Sequence, residues 1–131
     1  MATHAPAPRT TSRFALRPVF NQQLPDGAWW PESRRLSDQL EELFALWPAG
    51  RGSIIRVLYS PPDWEDRPRS VAVSRRRIKT GSFPRDDTHQ LTLSMFDGAR
   101  RSITVIPPDT PADEATAALD GVLEDDDGGH V

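Results

Sequence analysis

The chain has no cysteine, one lysine among its 16 basic residues, three histidines and one tyrosine. Each scarcity removes a class of chemistry. Without cysteine there are no disulfides, no thiolate nucleophile and no sulfur-ligated metal, and a reducing compartment suits the chain. Two of the histidines, His4 and His130, lie near the ends of the sequence. That leaves His89 alone in the body, too few convergent ligands for a metal centre, so neither metal nor cofactor is expected. No apolar run approaches the roughly 18 residues needed to span a bilayer, and residues 1 to 12 contain no hydrophobic leader core. The expectation is a soluble, cytoplasmic protein. Nor is there a Gly-rich phosphate loop or a nucleophile elbow, so no catalytic residue is assigned and the chain is not expected to be an enzyme.

What is present is one small domain's worth of apolar residues, 37% of 131, with 13 prolines as punctuation. Residues 1–11 are mostly Ala, Thr, Pro and His, a composition that buries too little surface to offset ordering entropy, and are read as disordered. Residues 12–123 are read as a single domain and residues 124–131 as an acidic, disordered tail. The net charge of −3 conceals a separation. All 16 basic residues and 12 of the acids precede Thr110, while the remaining seven acids follow it, leaving a mildly basic body and an acidic end.

Asp26-Gly27-Ala28-Trp29-Trp30-Pro31 is the organising stretch, read as a tight turn followed by an aromatic anchor. Adjacent residues of an extended chain point to opposite faces, so one tryptophan is expected in the core and the other nearer the surface. Pro31 suits the first turn of a helix and Ser33 is a competing cap. From about 34 to 47, Leu36, Leu40, Leu43, Phe44 and Trp47 make the stripe of an amphipathic helix, stopped by Pro48 and Gly50.

Strands are expected at residues 13–17, with Phe14 and Leu16 on one face, and at 53–60, a β-branched run with apolar residues on both faces. Further strands are expected at 89–96 and 101–106, joined by Asp97-Gly98, the strongest hairpin signal in the chain. Residues 69–80 fit either one long strand or a hairpin through Ser74-Arg75. After Pro107-Pro108, Asp109 or Thr110 can cap a second helix with Ala115, Ala118, Leu119 and Val122 on its apolar side. The reading is an α+β domain: a twisted, mostly antiparallel sheet of five to six strands, packed against the amphipathic helix, with a second C-terminal helix closing the core.

Two surfaces could bind a partner. Trp64 sits in a loop among Asp63, Glu65 and Asp66. A loop tryptophan usually caps a core, and less often, with Trp29, Trp30, Asp63 and Glu65, forms an aromatic contact surface for a protein partner. A non-catalytic protein-binding or regulatory module is the reading preferred on sequence. The alternative is nucleic-acid binding through Arg75, Arg76, Arg77, Lys79, Arg100 and Arg101, with the acidic tail as an internal competitor, although a pI near 5.6 is low for such a domain. His89 is expected at a strand entry, bonded to a loop carbonyl or carboxylate, with Asp86 and Asp87 as near carboxylates in sequence.

The motif Asp-Gly-Ala-Trp-Trp-Pro at 26–31, followed by Ser-Arg and a leucine-spaced helix, resembles a family of small actinobacterial proteins of unknown function. The likeness continues through Ile-Arg-Val-x-Tyr, the acid-flanked Trp64, Gly-x-Phe at 81–83, Asp87-x-His89 and Val-Ile-Pro-Pro-Asp-Thr at 105–110. It covers about residues 13–122. The family pattern resembles Val-Asp-Gly where this chain has Val73-Ser74-Arg75, which implies the hairpin, though the glycine is missing here. The resemblance implies no activity.

Overall fold

A computed structural model describes residues 13–20, 24–73, 76–82 and 89–128. In chain order its elements are β1 (Phe14–Leu16), β2 (Gly27–Trp29), α1 (Leu36–Leu46), β3 (Ile54–Tyr59), β4 (Ser70–Val73), β5 (Arg76–Ser82), β6 (Gln90–Met95), β7 (Arg100–Val105) and α2 (Ala112–Gly128). The strands form one sheet in the order β1-β2-β7-β6-β3-β5-β4.

The sheet therefore has seven strands rather than five or six, and it is mixed rather than mostly antiparallel. β2 pairs in parallel with β7, and β3 pairs in parallel with β5, while the other four pairings are antiparallel. Both corrections have local causes. The stretch Gly27-Ala28-Trp29, read as a turn and an aromatic anchor, is a three-residue strand whose parallel pairing comes from residues 76 positions away, Gly27 against Ile103 and Trp29 against Val105. Ser74 and Arg75 lie outside the described residues, but β4 and β5 on either side of them pair antiparallel as the two arms of a hairpin, with Val73 opposite Arg76. Its second arm, not its first, returns beside β3, so the hairpin enters the sheet with β4 outermost and β5 parallel to β3.

Asp26-Gly27 is not a tight turn either. Only Gly52 and Gly98 among the described glycines have positive φ, and Gly27 begins a strand. Asp97-Gly98, the same dipeptide, is the hairpin turn expected. Gly98 takes φ 94° and donates to the Met95 carbonyl at 2.9 Å, while Ala99 accepts from the Met95 N–H at 2.8 Å.

α1 forms where the leucine spacing predicts, burying Leu36, Leu40 and Leu43 on one side. Its N-terminus is not capped by Ser33. Asp66, from the loop after β3, accepts the Leu36 N–H at 2.6 Å, the Ser37 N–H at 3.1 Å and the Ser37 hydroxyl at 2.7 Å. Orphan amide groups of the first turn are thus satisfied from 29 to 30 residues away. One face of the sheet and α1 enclose the main core, which includes Phe14, Leu16, Trp29, Val57, Trp64, Ile78, Leu91, Leu93 and Ile103. On the opposite face α2 sets Ala115, Leu119 and Val122 against Ala15, Ala28 and Ile106. Among the described residues no helix is long and apolar enough to cross a membrane.

Candidate functional site: an uncovered basic sheet face

α2 contacts β1 and β2. Beyond them no described helix covers that face of β7, β6, β3, β5 and β4, because α1 packs on the other side. Strand alternation fixes which residues the uncovered face presents. Val71, Ile78, Val57, Tyr59, Leu91, Leu93, Met95, Ile103 and Val105 turn into the main core. The residues between them therefore face outward, and apart from Leu58 on β3 they are polar, small or basic. Registers line up one row across five strands: Ser70 beside Lys79, Lys79 beside Arg56, Arg56 beside Ser94 and Ser94 beside Arg100. With strands about 5 Å apart, Lys79 and Arg56 are immediate neighbours and Arg100 stands two strands further along. Arg77 extends the basic group along β5 from Lys79 and donates from Nε to the Ser70 hydroxyl at 3.0 Å.

No aspartate or glutamate occupies an outward position on these five strands. Among the described residues, Arg13 pairs with Glu32, Arg34 with Asp109 and Arg35 with Asp38, all away from this face. Arg56, Lys79 and Arg100 have no carboxylate partner among them. Like charges on neighbouring strands are destabilising, and here Lys79 and Arg56 are left directly side by side in the sheet. In the turn joining β6 to β7, two residues beyond Ser94, Phe96 is 80% exposed.

The structure separates the residues singled out on sequence. Trp29 and Trp64 are core residues, 2% and 5% exposed, with ring centroids 5.7 Å apart and planes at 30°. They present no face to a partner. Trp30 is half-buried: the Arg13 guanidinium lies 4.0 Å over its ring, and its Nε1 donates to the Pro108 carbonyl at 3.4 Å. One tryptophan of the pair is thus in the core and the other nearer the surface, as the alternation argument predicts. Asp63 is buried and Glu65 exposed, so the expected aromatic and acidic surface is not assembled.

Of the expected arginine-rich face, Arg77, Lys79 and Arg100 share the uncovered side. Arg76 points to the other face, beside Phe44 and Trp47. Arg101 also turns that way and lies half-buried with its guanidinium 3.9 Å over Phe20. Arg75 lies outside the described residues, as do Phe83, Asp86 and Asp87. Arg56 was missed. Its single charge sits inside Ile54-Ile55-Arg56-Val57-Leu58, which reads as a strand apolar on both faces, and a register irregularity between Ile54 and Arg56 turns it outward.

His89 does bond a carboxylate, that of Asp63. Asp63 Oδ2 accepts the His89 backbone N–H at 2.5 Å and Oδ1 stands 3.1 Å from Nδ1. His89 also holds positive φ, 67°, so the buried carboxylate pins a strained strand entry. Among the described residues there is no cluster of three or more metal-ligating side chains.

No curated protein and no solved structure matches the chain. The profile of a family of unknown function (DUF5994) matches residues 13–122.

Proposed function

We propose that this chain, which belongs to the family of unknown function DUF5994, is a non-catalytic binding module that holds a polyanionic strand, single-stranded nucleic acid, across its uncovered sheet face. One observation carries the reading: Arg56, Lys79, Arg100 and Arg77 share a face whose five strands carry no acid and which no described helix covers. Cations crowded without internal compensation gain from an external anion what they lack in the fold, through release of condensed counterions. Phe96 adds an exposed aromatic beside the basic row, two residues past Ser94, and base stacking on such a ring is tolerant of sequence. A protein partner, the other reading of the sequence, would need a surface other than Trp29 and Trp64, which are buried.

The test is fluorescence anisotropy with a labelled 12-nucleotide single strand at 50 mM salt. Arg56→Gln with Lys79→Gln should weaken binding at least tenfold while leaving the melting temperature unchanged or raised, because the substitution also removes a like-charge neighbour pair. Phe96→Ala should lower affinity by the equivalent of about 1–3 kcal/mol, the usual loss per stacked base. A wild-type protein that does not bind at this salt, or a double variant that binds equally well, overturns the proposal.

A further inference from the structure

At the β7 end of the basic face the surface opens into a cavity of about 400 Å³, whose walls include Phe20, Asp26, Thr92, Arg100, Arg101 and Ser102. The size lies within the range of small-molecule sites. It is continuous with the sheet face, since Thr92, Arg100 and Ser102 belong to both.

The polar groups around this cavity are unequally employed. Asp26 is committed: its Oδ2 accepts the Ser102 N–H at 2.7 Å, and its own N–H donates to the Ser102 carbonyl at 2.8 Å, so its carboxylate braces β2 against β7. Ser102 Oγ accepts from Gln90 Nε2 at 2.8 Å, which leaves the hydroxyl proton to donate. Arg101 Nε is buried and has no acceptor among the described residues. Its guanidinium and that of Arg51 both lie on the Phe20 ring, at 3.9 and 4.3 Å. Arg51 is already spent on the Arg17 carbonyl at 2.8 Å and the Pro18 carbonyl at 3.3 Å. Burial first, then the Arg101 charge, push the Arg51 pKa down against the opposing pull of Asp26, a sign of how closely cations are gathered here. Around the opening, then, stand the two arginine charges and the Ser102 hydroxyl, with one carboxylate, Asp26, whose Oδ2 is held by the Ser102 N–H.

We infer that this cavity, lined by Arg100, Arg101, Thr92 and Ser102, is a phosphomonoester site. A terminal phosphate carries two charges and three acceptor oxygens, which suits two guanidinium groups and two hydroxyls better than the single charge of an internal phosphodiester. The phosphate has two sources, the end of a strand lying on the basic face or a free mononucleotide. The first deepens the proposed function and rests on it; the second stands without it.

Three probes separate these possibilities: 12-nucleotide single strands with and without a terminal phosphate at either end, adenosine monophosphate, and inorganic phosphate, each titrated at 50 mM salt. For a strand end, the terminal phosphate tightens binding at least tenfold, and Arg101→Gln removes that gain while the unphosphorylated strand binds within twofold of wild type. For a free ligand, adenosine monophosphate binds the wild type and not Arg101→Gln, whatever the strands do. Should that variant melt at a lower temperature, inorganic phosphate competing away the terminal-phosphate gain on the wild type decides instead. If the strands bind irrespective of a terminal phosphate, and neither adenosine monophosphate nor inorganic phosphate binds, the cavity is not a phosphate site and the basic face alone stands. If a mononucleotide binds and no strand does, the face proposal fails and the cavity survives it.

Discussion

Asp66 shows how a single side chain supports an element far from it in sequence. Its three hydrogen bonds to Leu36 and Ser37 cap α1, and they fasten the loop carrying Trp64 over the core. Burial alone would raise the Asp66 pKa, but the bonds from the Ser37 hydroxyl and the Ser37 and Leu36 amides outweigh it, so the folded value lies below the ordinary carboxylate one. A depressed folded pKa stabilises the fold above the unfolded value, near 4, and that contribution disappears as pH falls through the folded value. Asp66→Ala should therefore cost roughly 1–2 kcal/mol at pH 7, the range for a lost helix cap. Thermal melts should show the gap between wild type and variant narrowing below about pH 4. A gap that stays constant down to pH 2 would separate the cap from the carboxylate's charge.

At the scale of elements, the β1–β2 pair depends on a glycine. A side chain at Gly27 would place its Cβ 2.6 Å from the Ala15 carbonyl oxygen and 3.1 Å from the Leu16 side chain. Gly27→Ala should push β1 off the sheet, at roughly the 1–3 kcal/mol typical of overpacking. Hydrogen exchange at residues 14–16 should accelerate more than at residues 91–93, and equal protection in variant and wild type would contradict this. The same glycine marks where the sequence was hard to read. Asp-Gly suggests a turn by local chemistry, and at 97–98 it is one; at 26–27 the glycine is needed because another strand's backbone passes close by. Helix α1, by contrast, was legible because its stripe is periodic over three turns, and the hairpin of β6 and β7 because alternation and turn chemistry agree. Parallel pairing was not legible, since it joins segments separated by whole elements and leaves no local mark.

For the molecule as a whole, the charge separation visible in composition becomes a spatial one. α2 lies on the same face of the sheet as the basic row, against β1 and β2, and Arg17 anchors it by donating from Nη1 to the Val122 carbonyl at 3.1 Å. The acids at 124–127 follow directly, in a helix that continues to Gly128. Deleting residues 124–131 should tighten strand binding at 50 mM salt and change it little at 200 mM, where screening shortens the reach of the tail's charge. Four phosphate contacts predict a loss of about fiftyfold in affinity between those salt concentrations, from a slope near 0.7 per contact on single strands. The basic site was half legible. Alternation alone puts Arg77 and Lys79 on one side of a strand, but bringing them beside Arg56 and Arg100 requires the strand order, and Arg101 falls on the other face by the same alternation.

The most direct measurement is an amide chemical-shift titration of the isotopically labelled protein with an unlabelled 12-nucleotide single strand at 50 mM salt. The basic-face account predicts the largest shifts at Arg56, Leu58, Lys79, Ser94, Phe96 and Arg100, on β3, β5, β6 and β7, with α1 and the Trp29–Trp64 core unmoved. Shifts concentrated on α1 or around Trp30, or no shifts on the sheet at a saturating strand concentration, would contradict it.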